Sequence, residues 1–259
     1  LERLIKSVGF NNAYFYYPLP DYKMPQVVYS EEYLPKNGSI DNWIPYYEPN
    51  GNSMVSDEEH IYGDLVDNDV FEFFANSFMV ECCEENEDIG EIQYAVSSPF
   101  RNKEYNMITV YSKSDGFYKI ADSDSINALK ATDSNHKMLD KKGILVSETN
   151  VKGYEMYTKK ISGTSLIDIL LREYANKNVN EVYKIFDKIY EEIIRSSEES
   201  DKLNPIFNSS DEMHLSALAS DDKILKNIYI DMIHKNCFVQ ENGDYVWIDQ
   251  EWCLNDIPA

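Results

Sequence analysis

Near the C-terminus Asp231 ends the short β-prone run NIYID, Asn236 immediately precedes a second, CFVQ, and Asp249 ends a third, YVWID, the last two runs being joined by the turn ENGD. An Asn-Gly turn between such runs predicts a β-hairpin. Asp231 and Asn236 then stand at the mouth of a loop and Asp249 ends the returning strand, so the three side chains converge at one end of the hairpin. Two carboxylates and an amide oxygen form a hard-oxygen set suited to Mg²⁺, with one Asp left to orient a hydroxyl. Asn242 and Asp244, within the turn, read as turn formers.

The hairpin needs a frame, and the preceding 140 or so residues supply the elements for one. EIQYAVSS, YNMITVYS and GFYKIAD read as strands, the last two joined by Ser114-Asp115-Gly116. A helix is expected over 124–141, stopping at Gly143, and then two strands, GILVSETN and YEMYTKKI, joined by Val151-Lys152-Gly153. TSLIDILLREYANK and NVNEVYKIFDKIYEEIIRSSEE repeat their apolar residues every three or four positions, and the second opens on Asn178 as a cap with Glu181 following. Five strands carrying one helix, then helices, then a short hairpin predict an α+β fold in two lobes.

The front of the chain reads differently. LERLIKSVGF is an amphipathic helix with Leu1, Leu4, Ile5 and Val8 on one face and Gly9 as its C-cap, and its missing start signal suggests that the chain is cut from a longer one. NAYFYYPLPDYKMPQVVYS is an aromatic β-prone run that Pro18, Pro20 and Pro25 should confine to an edge strand and an extended loop. Residues 35–65 read as loop, and DVFEFFANSFMVECC, 69–83, as a second strand buried on both faces. The acidic stretch EENEDIGE marks a domain boundary, dividing the chain into 1–87 and 88–259.

Composition narrows the partners. The 259 residues, 43% of them hydrophobic, suffice for one large domain or two small ones. Against 46 acidic residues stand 24 basic ones, of which only Arg3, Arg101, Arg172 and Arg195 are arginine, giving a formal charge of −22. Such a field repels phosphate backbones and anionic lipid and argues against nucleic acid or a membrane surface, although a nucleotide held through a metal and local cations stays open. Cys82, Cys83, Cys237 and Cys253 have no CxxC or Cys/His zinc spacing and read as reduced thiols. With no apolar run near the ~18 residues of a membrane span, the expectation is a soluble, cytoplasmic protein.

The D-x4-N spacing from Asp231 to Asn236, followed by Asp249 in IDQEW, resembles the catalytic and metal-binding segments of the protein-kinase-like superfamily, in the form found in aminoglycoside phosphotransferases and choline kinases. That resemblance implies a small lobe of antiparallel sheet plus one helix and a partial helical large lobe, with ATP and Mg²⁺ as cofactors. By it Asp231 is catalytic and orients the acceptor hydroxyl, while Asn236 and Asp249 are the metal ligands. Tyr229 stands where the family usually has His. The family's strand lysine falls on Lys119 in GFYKIAD, where it would contact the nucleotide phosphates. Its helix glutamate has no counterpart, Asp133 being the nearest acid, and its glycine-rich loop is replaced by SSPFRNKEYN, where Ser98 and Arg101 are the candidate phosphate contacts.

A second resemblance runs through LIKSVGF, YFYYPLPDYKMPQVVYSEEYLP and FFANSFMVE, which look like the last helix and final two strands of a Rossmann-like class I S-adenosylmethionine-dependent methyltransferase. It is similar to bacterial surface-polysaccharide (O-antigen) proteins in which such a domain precedes a kinase-like one. With ten glycines and no G-x-G, any S-adenosylmethionine site would belong to an absent upstream part. Together the resemblances imply ATP- and Mg²⁺-dependent phosphoryl transfer to a hydroxyl of a small molecule or glycan in polysaccharide assembly, with proteins of that assembly as partners. The alternatives are a catalytically silent kinase-like scaffold and an accessory module of a methyltransferase.

Overall fold

The computed structural model describes residues 1–36, 38–40, 58–84, 88–98, 100–205 and 223–259. It is a mixed α+β chain with a large antiparallel sheet and, among the described residues, six α-helices. Two compact units divide it, Leu1–Ser125 and Ile126–Ala259.

The first unit contains α1 (Glu2–Ser7), β1 (Asn12–Leu19), β2 (Val27–Ser30), α2 (Glu58–Asp67), α3 (Phe71–Phe74) and strands β3 (Met79–Cys83), β4 (Ile92–Val96), β5 (Ile108–Ser112) and β6 (Gly116–Ile120). Its strands lie in one antiparallel sheet in the order β3-β1-β2-β4-β5-β6. On one face Tyr17, Leu19, Val27, Tyr29, Tyr62 and Phe71 form a buried cluster against which Tyr94 and Val96 pack. The boundary expected after residue 87 falls within this sheet, since β2 and β4 on either side of it are paired from Val27↔Val96 to Tyr29↔Tyr94.

Three local expectations are corrected in this unit. β1 is an interior strand, but its residues 12–16 pair with β3 and 16–19 with β2. Pro18 therefore stands where the strand has one neighbour, and its missing N–H costs no ladder bond. Residues 69–83 are not one buried strand: Phe71–Phe74 is helical, and only Met79–Cys83 is a strand, none of it fully buried. Dense Phe, Met and Val leave helix and strand undistinguished when the run is short. Of the expected loop 35–65, residue 37 and 41–57 lie outside the described residues, and the loop ends at α2 rather than at 65.

The second unit runs α4 (Ile126–Lys141), β7 (Thr149–Lys152), β8 (Glu155–Thr158), β9 (Thr164–Ser165), α5 (Leu166–Ala175), α6 (Val179–Arg195), β10 (Ile224–Leu225), β11 (Ile228–Tyr229), β12 (Cys237–Val239), β13 (Tyr245–Trp247), β14 (Cys253–Leu254) and β15 (Ile257–Pro258). Its core gathers Leu139 from α4, Leu166 from α5, Ile185 and Ile189 from α6, and Tyr229, Met232, Cys237, Tyr245 and Trp247 from the C-terminal segment. The strand expected over GILVSETN is shorter: it starts at Thr149, and Val146 makes only a single parallel bridge to Trp247. Asn178 does precede α6, but its amide donates to Glu173 instead of capping the helix. No helix among the described residues is long and apolar enough to cross a membrane.

Candidate functional site

Two short strand pairings frame Asp231, Asn236 and Asp249. β11 pairs with β14, Tyr229 opposite Cys253, and the Ile230 N–H continues the ladder to the carbonyl of Trp252 at 3.2 Å. Asp231 is thereby delivered beside residues 251 and 252. β12 pairs with β13, Cys237 opposite Trp247, and the Ile248 N–H reaches the carbonyl of Asn236 at 2.9 Å. That register sets Asn236 against the residue preceding Asp249. The turn between these strands is closed by Gln240 and Asp244, with Gly243 in the left-handed region at φ +86°.

Side chains then tie Asp231 to Asn236 and to the residues that follow Asp249. Asp231 Oδ2 accepts the backbone N–H groups of Glu251 at 3.1 Å and Trp252 at 3.0 Å. Asn236 Nδ2 donates to the carbonyl of Asp231 at 3.1 Å, so that Oδ1 is the amide atom not engaged in that bond. Gln250 Nε2 donates to the same carbonyl at 3.0 Å and to that of Ile248 at 2.7 Å. Asp249, between Ile248 and Gln250, has φ +58°, a left-handed conformation uncommon for a residue with a Cβ. Asp231, Asn236 and Asp249 are all half-buried.

The electrostatics follow from that crowding. Burial, and after it the neighbouring carboxylates of Asp249 and Glu251, raise the Asp231 carboxyl above the usual carboxylate range, against the pull of the two amide hydrogen bonds. Among the described residues no group of three or more His, Cys, Asp or Glu is arranged to hold a metal. The present set has two carboxylates and an amide oxygen, a donor chemistry that fits Mg²⁺, which keeps several waters and takes few protein ligands.

Lys119, Ser98 and Arg101 belong to the first unit, Asp133 and Tyr229 to the second. Lys119 lies on β6, largely buried, with Thr109 opposite it in the ladder. Ser98 and Arg101 share a turn in which the Arg101 N–H donates to the Ser98 carbonyl at 3.1 Å. On α4, Asp133 has partners for both carboxylate oxygens, Thr149 at 2.7 Å and Lys137 at 2.6 Å. Burial works to raise its carboxyl, but those two hydrogen bonds outweigh it and hold the group below its ordinary value. Tyr229 is core, its hydroxyl pushed up to about 12 by burial.

Residues that sequence reasoning left without a role also converge here. His136 lies between the carbonyl of Ser147 and the N–H of Gln250, and Asn135 donates to the Gln250 carbonyl. More than 110 positions separate Asn135 and His136 from Gln250, so no local pattern joins them. A concavity of about 770 Å³ elsewhere in this unit is lined by Ser162, Gly163, Thr164, Arg172 and Gln240 among others, but by none of Asp231, Asn236 or Asp249, and carries no part of the site. No protein-family model matches the chain, and no curated protein matches it.

Proposed function

We propose that the chain is an ATP- and Mg²⁺-dependent phosphotransferase acting on a hydroxyl of a small molecule or glycan, with bacterial surface-polysaccharide assembly as its setting. The observation that carries this reading is the hydrogen-bonded knot of Asp231, Asn236 and residues 248–252. Asp231 is the acceptor-orienting residue: two backbone N–H groups occupy Oδ2, and Oδ1 is assigned to the substrate hydroxyl. Its raised proton affinity suits a group that takes a proton as the oxygen attacks. Asn236 Oδ1 and Asp249 would hold the metal, which when bound neutralises charge on the nucleotide phosphates.

A second reading is a silent scaffold or an accessory of a methyltransferase. What favours it is that Asp133, the acid nearest the expected helix glutamate, is held by Thr149 and Lys137.

A thermal scan with ATP, with Mg²⁺, and with both decides between them. Ligand at about 100 times its dissociation constant adds about 2.7 kcal/mol of stability. A rise in Tm with both that exceeds the rise with ATP alone, the excess being lost in Asp249→Ala, is the expected outcome. No rise in the wild-type chain, or an undiminished rise in the variant, overturns the metal assignment.

A further inference from the structure

The buried face of α4 is unusually polar, presenting Thr132, Asp133, Asn135 and His136 alongside Leu129 and Leu139. Asp133 is explained by Thr149 and Lys137, and Thr132 by a bond to the Ala128 carbonyl within the helix. Asn135 and His136 instead leave the helix and take hold of one residue, Gln250. The Gln250 N–H donates to His136 Nε2 at 3.3 Å, and the Gln250 carbonyl accepts from Asn135 Nδ2 at 2.9 Å, with the Glu251 carbonyl 3.4 Å from the same nitrogen.

A backbone N–H can only donate, so His136 Nε2 must accept and Nδ1 carries the ring hydrogen, which it gives to the Ser147 carbonyl at 3.0 Å. The ring therefore accepts on one edge and donates on the other. Gln250 has no exposure to solvent, so its backbone groups need partners inside the protein, and these two side chains supply them. Its own side chain passes the link on to the Asp231 carbonyl.

We propose that Asn135 and His136 are positioning residues for Asp249, and that α4 fixes the left-handed turn at Asp249 through the backbone of Gln250. Non-glycine residues keep such a conformation only where the surroundings over-determine it. Within the turn the Glu251 N–H reaches the Asp249 carbonyl at 3.0 Å, and the α4 bonds hold the next residue from outside. The inference rests on the phosphoryl-transfer reading of Asp249 as a metal ligand.

Manganese is the probe, titrated into the full chain with and without ATP and followed by its electron paramagnetic resonance signal, beside amide exchange of the 248–252 segment. His136→Asn keeps a donor towards Ser147 and removes the acceptor for Gln250, whereas His136→Gln can return an acceptor near the Nε2 position. His136→Asn and Asn135→Ala should each weaken Mn²⁺ binding in the presence of ATP at least tenfold and speed exchange in 248–252. Metal-free ATP affinity should stay unchanged, and His136→Gln should recover Mn²⁺ affinity to within about threefold of wild type. Folded variants that bind Mn²⁺ as the wild type does, or that lose metal-free ATP binding in equal proportion, overturn the positioning role. Should His136→Asn not melt cooperatively, Asn135→Ser, which removes only the bonds to the 250 and 251 carbonyls, is judged in its place. Wild-type protein that takes up no Mn²⁺ with ATP refutes the phosphoryl-transfer reading itself, a result separate from any difference between variants.

Discussion

Asp231 shows how one side chain can serve a site at a cost to the fold. Its carboxyl is raised in the folded state, so its contribution favours folding below the ordinary carboxylate range and is lost as pH rises through the raised value. At neutral pH the ionised group is a net burden. Asp231→Asn, which keeps an oxygen for the Glu251 and Trp252 amides, should therefore raise Tm at pH 7, with the gain shrinking as pH falls towards 4. The same change should lower phosphotransfer by about 100-fold or more. Thermal scans over that pH range, beside an assay of nucleotide turnover, check both halves. Glu192 makes the opposite case. Its carboxylate accepts from the buried Trp247 indole at 2.9 Å, and Glu192→Ala leaves that N–H without its partner, a loss of roughly 1–3 kcal/mol measurable by urea unfolding.

Among elements, short strands do the positioning and small residues let them close. A Cβ on Gly163 would come within 2.6 Å of the Val239 backbone oxygen, where β9 lies against β12. Gly163→Ala should cost roughly 1–3 kcal/mol by overpacking and loosen the strand that follows Asn236, seen as a lower urea midpoint. In the first unit Gly90 has φ +76° and would drive a Cβ to 2.5 Å from the Tyr14 ring, inside the buried network of Tyr14, Ser30 and Gln93. The hairpin of β12 and β13 was legible because Asn-Gly between β-prone runs is a local signal. So were α5 and α6, whose apolar spacing repeats over several turns, and α4, expected over 124–141 with its stop at Gly143. α3 was not legible, because four residues of Phe and Glu have no period to read.

For the whole molecule, the charge of −22 predicts self-repulsion that salt relieves. Raising NaCl from about 20 to about 300 mM shortens the screening length from roughly 20 Å to roughly 6 Å, and Tm should rise. A fall would mean that ion pairs such as Glu198 with Lys142 and Lys226 outweigh that repulsion. The sequence by itself determined the acidic balance, the α+β class, the long helices and the hairpin that presents Asn236 and Asp249, since each depends on composition or on neighbours a few residues apart. Only the tertiary structure decided that β2 and β4 share one sheet across residue 87, and that Asn135 and His136 hold Gln250. Those are pairings between distant segments, chosen by which buried backbone groups need partners, and no local pattern encodes which distant side chain will meet that need.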